Sequence, residues 1–251
     1  MGDLVEGYVA DPAEVDRQWA EIDGMLGELT TPLFHVPGNH DVSNPMMFDK
    51  WIERYGRTYY HFFYDDTLFL LLDTQDPPDS PGRDLAGTLE RFMDQLRLDP
   101  AWLMQQIQQA TDWNGTQPAR LGDDQMAYFE AVLAEHSEAR WTFLCMHMPL
   151  WQGDHPTWAR LRAALGDRPF SAFAGHVHNY RATHDGPSTL VRLGPTGGLW
   201  VLGGPEGNFH HVTQVTMTKK GPVVANVLLD GLRNVEGLPI RPVTMGLVPL
   251  M

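Results

Sequence analysis

Three continuous apolar runs in this chain end in the same kind of turn, and that repetition limits the fold more than any other feature. Pro32-Leu33-Phe34-His35-Val36 stops at Pro37-Gly38 and presents Asn39, His40 and Asp41. The run 141–146 delivers His147, and the run 169–174 delivers Gly175-His176-Val177-His178. A short apolar run without alternation reads as a strand buried on both faces, the habit of parallel sheets. Parallel strands need crossovers, and helical patterns do stand between these runs. Open α/β sheets bind ligands beyond the carboxyl ends of their strands. Asn39, His40, His147, His176 and His178 are therefore expected around one site.

Asp11-Pro12 and Asn44-Pro45 read as helix starts, each a capping side chain followed by proline at the first helical position. Val15, Trp19, Ile22, Met25 and Leu26 keep helical spacing after the first, and the second is expected to run to about Tyr55. Segments 58–64 and 67–73 read as a hairpin around Asp65-Asp66. Further helices are expected at 125–134 and 155–165. Between 76 and 121, a Pro- and Gly-rich loop and an amphipathic pattern through Leu85, Leu89, Phe92, Met93 and Leu96 read as a helical insertion. After residue 178 the helices stop, and 179–184, 188–193, 211–218 and 222–229 read as short antiparallel strands closing the fold. One domain is expected over 1–231, with 232–251 as a C-terminal tail.

A chain of 251 residues buries one large core. Its net charge of -14 leaves no basic stripe for a phosphate backbone, so no nucleic-acid or anionic-membrane partner is expected. No apolar run is long enough to span a bilayer. Cys145 is the single cysteine, which excludes an intrachain disulfide and a cysteine-rich zinc site. Oligomeric state and localisation have no signal in these residues.

Carboxylate, amide and imidazole at successive strand ends make a mixed oxygen and nitrogen donor set. Such a set suits Mn, Fe or Zn better than Ca. One such residue would favour a turn or a satisfied histidine; six, Asp3, Asn39, His40, His147, His176 and His178, favour a metal site. In an extended His176-Val177-His178 the two rings would project to opposite sides, so a bend there would let one imidazole reach each of two ions. The order Gly2-Asp3, Gly38-Asn39-His40-Asp41, His147, Gly175-His176-Val177-His178 resembles the calcineurin-like metallophosphoesterase superfamily over nearly the whole chain.

The resemblance implies an α/β/β/α sandwich of two mixed sheets with helices outside. It implies that Asp3 bridges two divalent metals, that Asn39, His147 and His176 complete the second, and that His178 serves the first. His40 would face the leaving group, and Glu6 stands where the family often carries an acidic partner for that histidine. The family's first block, usually Asp-x-His on the first strand, would lie before Gly2. The expectation is thus an N-terminally truncated domain lacking its first strand and helix, with one metal held tightly and the other weakly. Any N-terminal signal would be lost with that segment.

Asp41 reads as an Asx-type turn residue rather than a ligand. His211 and Trp200 are candidate substrate contacts, and His155 is an alternative between substrate contact and helix start. The expected function is hydrolysis of a phosphate mono- or diester by a metal-activated water. The alternative is a catalytically impaired domain that binds one metal or a phosphate-bearing ligand.

Overall fold

The computed structural model describes residues 1–76, 119–152, 156–196, 207, 209–229, 231–233 and 235. Two helices come first, each begun by the expected cap. In α1 (Pro12–Leu26) the Asp11 carboxylate accepts from the Ala13 N–H at 3.0 Å. In α2 (Pro45–Tyr55) the Asn44 side chain accepts from the Met47 N–H at 3.0 Å. The two helices share one buried cluster, Val15, Trp19, Met47 and Trp51, with Val5 and Val42 from the preceding loops. The indoles of Trp19 and Trp51 meet edge-on at 6.3 Å. That cluster anchors the loops that reach the site.

The first sheet follows. β1 (Tyr60–Tyr64) and β2 (Thr67–Leu72) form the expected hairpin. Then come α3 (Asp123–Glu135), β3 (Trp141–Met146), α4 (Pro156–Leu165), β4 (Phe170–Ala174), β5 (Arg181–Asp185) and β6 (Ser188–Arg192). The spatial order is β1-β2-β3-β4-β6-β5. The four central strands run parallel, and the edges β1 and β5 are antiparallel. β7 (His211–Thr218), β8 (Gly221–Leu228) and β9 (Gly231–Arg233) make a second, antiparallel sheet. This is the mixed α/β architecture that the sequence led us to expect.

Alternation along the central strands sorts their side chains into two layers. Leu68, Leu70 and Leu72 of β2, with Leu144, Met146, Ala172 and Ala174, pack against Phe129, Leu133, Leu161 and Leu165 of α3 and α4. Phe143, Phe173 and Val191 point the other way, toward Met217, Val224 and Leu228 of the second sheet. Each large apolar side chain fully buried in these layers contributes about 1.5–3 kcal/mol.

Two expectations need correction. Residues 32–36 have no regular secondary structure and belong to no ladder among the described residues. Leu33 and Phe34 are 41% and 55% exposed. Side chains hold the segment instead: Tyr60 O–H donates to the His35 carbonyl at 2.9 Å, and Phe34 stacks on Phe62 at 4.2 Å. A strand needs a partner of matching direction, and no described strand precedes α1. The second correction concerns β6, which joins the first sheet parallel to β4 instead of continuing an antiparallel run. Its adjacent Leu190 and Val191 are buried on opposite faces, whereas the polar β5 suits the edge.

The expected insertion lies outside the described residues apart from its ends, where Gln75 and Arg120 form a parallel bridge. Residues 234 and 236–251 of the tail lie outside as well, and β9 straddles the expected boundary at 231. No described helix is long and apolar enough to cross a membrane.

Candidate metal centre

β2, β3 and β4 end level with one another, because Leu72 pairs with Met146 and Met146 with Ala174. Asp73, His147 and Gly175 therefore leave the sheet along one edge. Two loops close over that edge, and the buried carboxylate of Asp41 joins them. Its Oδ1 accepts from the Leu4 N–H at 2.7 Å and the Val5 N–H at 3.2 Å. Its Oδ2 accepts from the Gly38 N–H at 2.8 Å, three residues back rather than two residues on as in the expected Asx turn. The loops then touch: a Cβ on Gly38 would lie 2.1 Å from Asp3 Oδ1 and 2.3 Å from Asp3 N, so only glycine fits.

Four side chains from distant parts of the chain converge there. Asn39 Oδ1 lies 2.9 Å from His147 Nε2 and 2.9 Å from His176 Nδ1. His147 Nε2 lies 3.1 Å from Asp3 Oδ2 and 3.3 Å from His176 Nδ1. Asp3, His147 and His176 each bring a ligand atom within 4.8 Å of the others. Donors held by one ion at about 2.1 Å stand roughly 3.0–3.4 Å apart, so these spacings are those of a single coordination shell. The residues fit a metal cation. His147 supports the fit, because its Nδ1–H donates to the Met1 carbonyl at 2.8 Å and so directs Nε2 inward. Asp3 and His176 sit at φ 55° and 67°, left-handed conformations that cost a non-glycine residue about 1–2 kcal/mol.

The electrostatics centre on the pair of Asp3 and His147. Burial would raise the Asp3 carboxyl, but the adjacent His147 outweighs it and holds the group well below the usual carboxylate range. Burial opposes a charge on His147, yet the Asp3 carboxylate raises its pKa. Burial pushes His176 down to about 3, so its lone pair stays available. A cation entering the cluster would displace the proton that His147 shares with Asp3.

His40 sits beside this cluster. Its N–H donates to Asp3 Oδ1 at 3.1 Å, and its ring meets that of Tyr8 edge-on at 4.8 Å. Its Nδ1 contacts the backbone carbonyl of Glu6 at 2.5 Å, while the Glu6 side chain is exposed. Glu6 thus meets His40 through its main chain. His178 lies outside the donor cluster, at φ 56°, near enough to His176 for its charge to lower that pKa. His211 is buried against the rings of Tyr180 and Phe209. Trp200 and His155 lie outside the described residues.

Two partners of the site carry no sequence signal of their own. The Met1 carbonyl is one. The other is Tyr8, whose phenol oxygen accepts from Asn39 Nδ2 at 2.7 Å. Each contact exists only once the loops have folded back over the sheet.

The family model for calcineurin-like phosphoesterases matches residues 1–180. No curated protein matches the chain.

Proposed function

The chain belongs to the calcineurin-like phosphoesterase family, and on that premise we propose that it hydrolyses a phosphate mono- or diester, with water as nucleophile and divalent cations as cofactors. The observation that carries this reading is the convergence of Asp3, Asn39, His147 and His176 in one shell, with His40 alongside. Asp3, Asn39, His147 and His176 would hold Mn, Fe or Zn there, and the bound ion would supply Lewis-acid polarisation of the phosphoryl oxygens and a more acidic water at neutral pH.

The chain's own residues do the rest. Asp3 supplies the negative charge that the site concentrates, and its Oδ1 holds the His40 backbone in place. The Glu6 carbonyl engages Nδ1 of His40, which leaves Nε2 to face substrate. Protonated at Nε2, His40 donates to a phosphate oxygen or to the departing alkoxide as general acid. His178 is the remaining imidazole for a further cation, and His211 and Trp200 remain candidate substrate contacts.

The test is hydrolysis of p-nitrophenyl phosphate and its bis ester in Mn²⁺, with His40→Ala as the variant. We expect kcat to fall by about 10²–10⁴ on losing the proton donor while Mn²⁺ still binds. Turnover unchanged in the variant removes His40 from the mechanism.

A second reading, a domain that holds one cation or a phosphate-bearing ligand without turnover, is favoured by one observation. Among the described residues there is one donor cluster, and His178 is not part of it. Mn²⁺ binding without hydrolysis of either ester would select that reading.

A further inference from the structure

We propose that Tyr8 is a positioning residue of the metal centre: its phenol oxygen holds the Asn39 amide in the orientation that turns Oδ1 toward the ion. The inference rests on the metal-dependent reading above but not on turnover. Tyr8 Oη accepts from Asn39 Nδ2 at 2.7 Å, on the side of the amide opposite the donor shell. Asn39 Oδ1 faces His147 Nε2 and His176 Nδ1 at 2.9 Å each. The two ends of an amide are nearly alike in shape but opposite in chemistry. Turned half a revolution, Asn39 would present an NH₂ group, which has no lone pair for a cation. Asn39 is only 7% exposed, so solvent is a poor substitute for the phenol oxygen.

The loop around Tyr8 is built to deliver that oxygen. The Gly7 N–H donates to Gln18 Oε1 of α1 at 2.9 Å, and the Tyr8 N–H donates to Ser43 Oγ at 2.9 Å. Asn44 Nδ2 donates to the Val9 carbonyl at 2.9 Å. Tyr8 itself sits at φ 52°, a conformation that bulky residues rarely adopt and that surrounding bonds must enforce. The same side chain that caps α2 thus clamps the loop, and the loop aims the phenol at Asn39.

Calorimetric titration of Mn²⁺ into the wild type, Y8F, N39D and the double variant tests this. Y8F keeps the ring beside His40 and removes only the acceptor. We expect its Kd to rise about 10–100-fold, the usual cost of losing a partner behind a ligand. A carboxylate presents an oxygen whichever way it turns, so in the N39D background the loss of the phenol should change Kd by less than about threefold. A Tyr8 that merely braces the loop would weaken both backgrounds equally. Equal losses, a Y8F Kd within about twofold of wild type, or a wild type that takes up no Mn²⁺ would overturn the proposal. Loss of affinity in Y8F with no esterase activity in the wild type would sink the catalytic reading and leave the role of Tyr8 standing.

Discussion

Asp41 shows how one buried carboxylate sets the shape of the site without entering it. Burial and the nearby Asp3 charge push its pKa up to about 6, while three backbone N–H donors pull toward the ionised form. Those donors belong to both loops, so the carboxylate fixes where Asp3 and Asn39 stand relative to each other. In Asp41→Asn, one oxygen keeps the Leu4 and Val5 bonds and the new NH₂ faces the Gly38 N–H. Two donors then face each other, and leaving the buried Gly38 N–H without its acceptor costs about 1–3 kcal/mol. Urea denaturation of the metal-free variant measures the loss. A midpoint equal to that of wild type would show that the loops are held together by other contacts.

Between β1 and α3, His61 couples the first sheet to a helix. Its Nδ1 stands 2.7 Å from Tyr128 Oη, within hydrogen-bond distance. Burial, then the charges of His136 and Arg57, lower its pKa below the usual 6.5, against a smaller opposite effect of Glu135. The Phe63 and His136 rings stack at 5.0 Å on the same side. A histidine with a lowered folded pKa binds protons less readily in the native state than in the unfolded chain. Its contribution is therefore full above about pH 6.5 and declines as pH falls through that value. His61→Gln should flatten this acid limb in urea midpoints measured from pH 8 to pH 5. An unchanged slope would assign the acid sensitivity to other groups.

The same element scale decides what was legible beforehand. Cap chemistry is local, so Asp11-Pro12 and Asn44-Pro45 announced α1 and α2 to within a residue. The continuous apolar run of β3 announced a central strand and, at its end, His147. Residues 32–36 carry the same apolar signal, yet a ladder depends on a partner elsewhere in the chain, and composition says nothing of that partner. For the site, strand-end position was enough to bring His147 and His176 together, whereas Asn39 follows no strand and its place beside them rests on residue type in the Pro37-Gly38 turn. The contact of Tyr8 with Asn39 and that of the Glu6 carbonyl with His40 depend on how loops fold back, which no local pattern encodes.

Across the whole molecule, a cation in the shell of Asp3, Asn39, His147 and His176 would tie together parts of the chain that are otherwise joined by hydrogen bonds and ring contacts. Asp3 and Asn39 come from loops anchored on the α1–α2 cluster, whereas His147 and His176 leave β3 and β4 of the first sheet. Those two bodies have separate hydrophobic clusters, and Asp3–His147 and Asn39–His176 are contacts that join them. The unfolded chain does not bring the four donors together, so binding adds nearly in full to folding stability. At a free Mn²⁺ concentration 100 times Kd the gain is about 2.7 kcal/mol. For a chain of this length each kcal/mol raises Tm by about 2–4 °C, so calorimetry should show an increase of roughly 5–10 °C that EDTA reverses. His176→Ala should abolish the increase, because the shell loses a donor from the strand side while the loops keep theirs. A Tm insensitive to Mn²⁺ in the wild type would mean that the converging donors hold protons rather than a metal, and that the loops and the sheet are joined by hydrogen bonds and ring contacts alone.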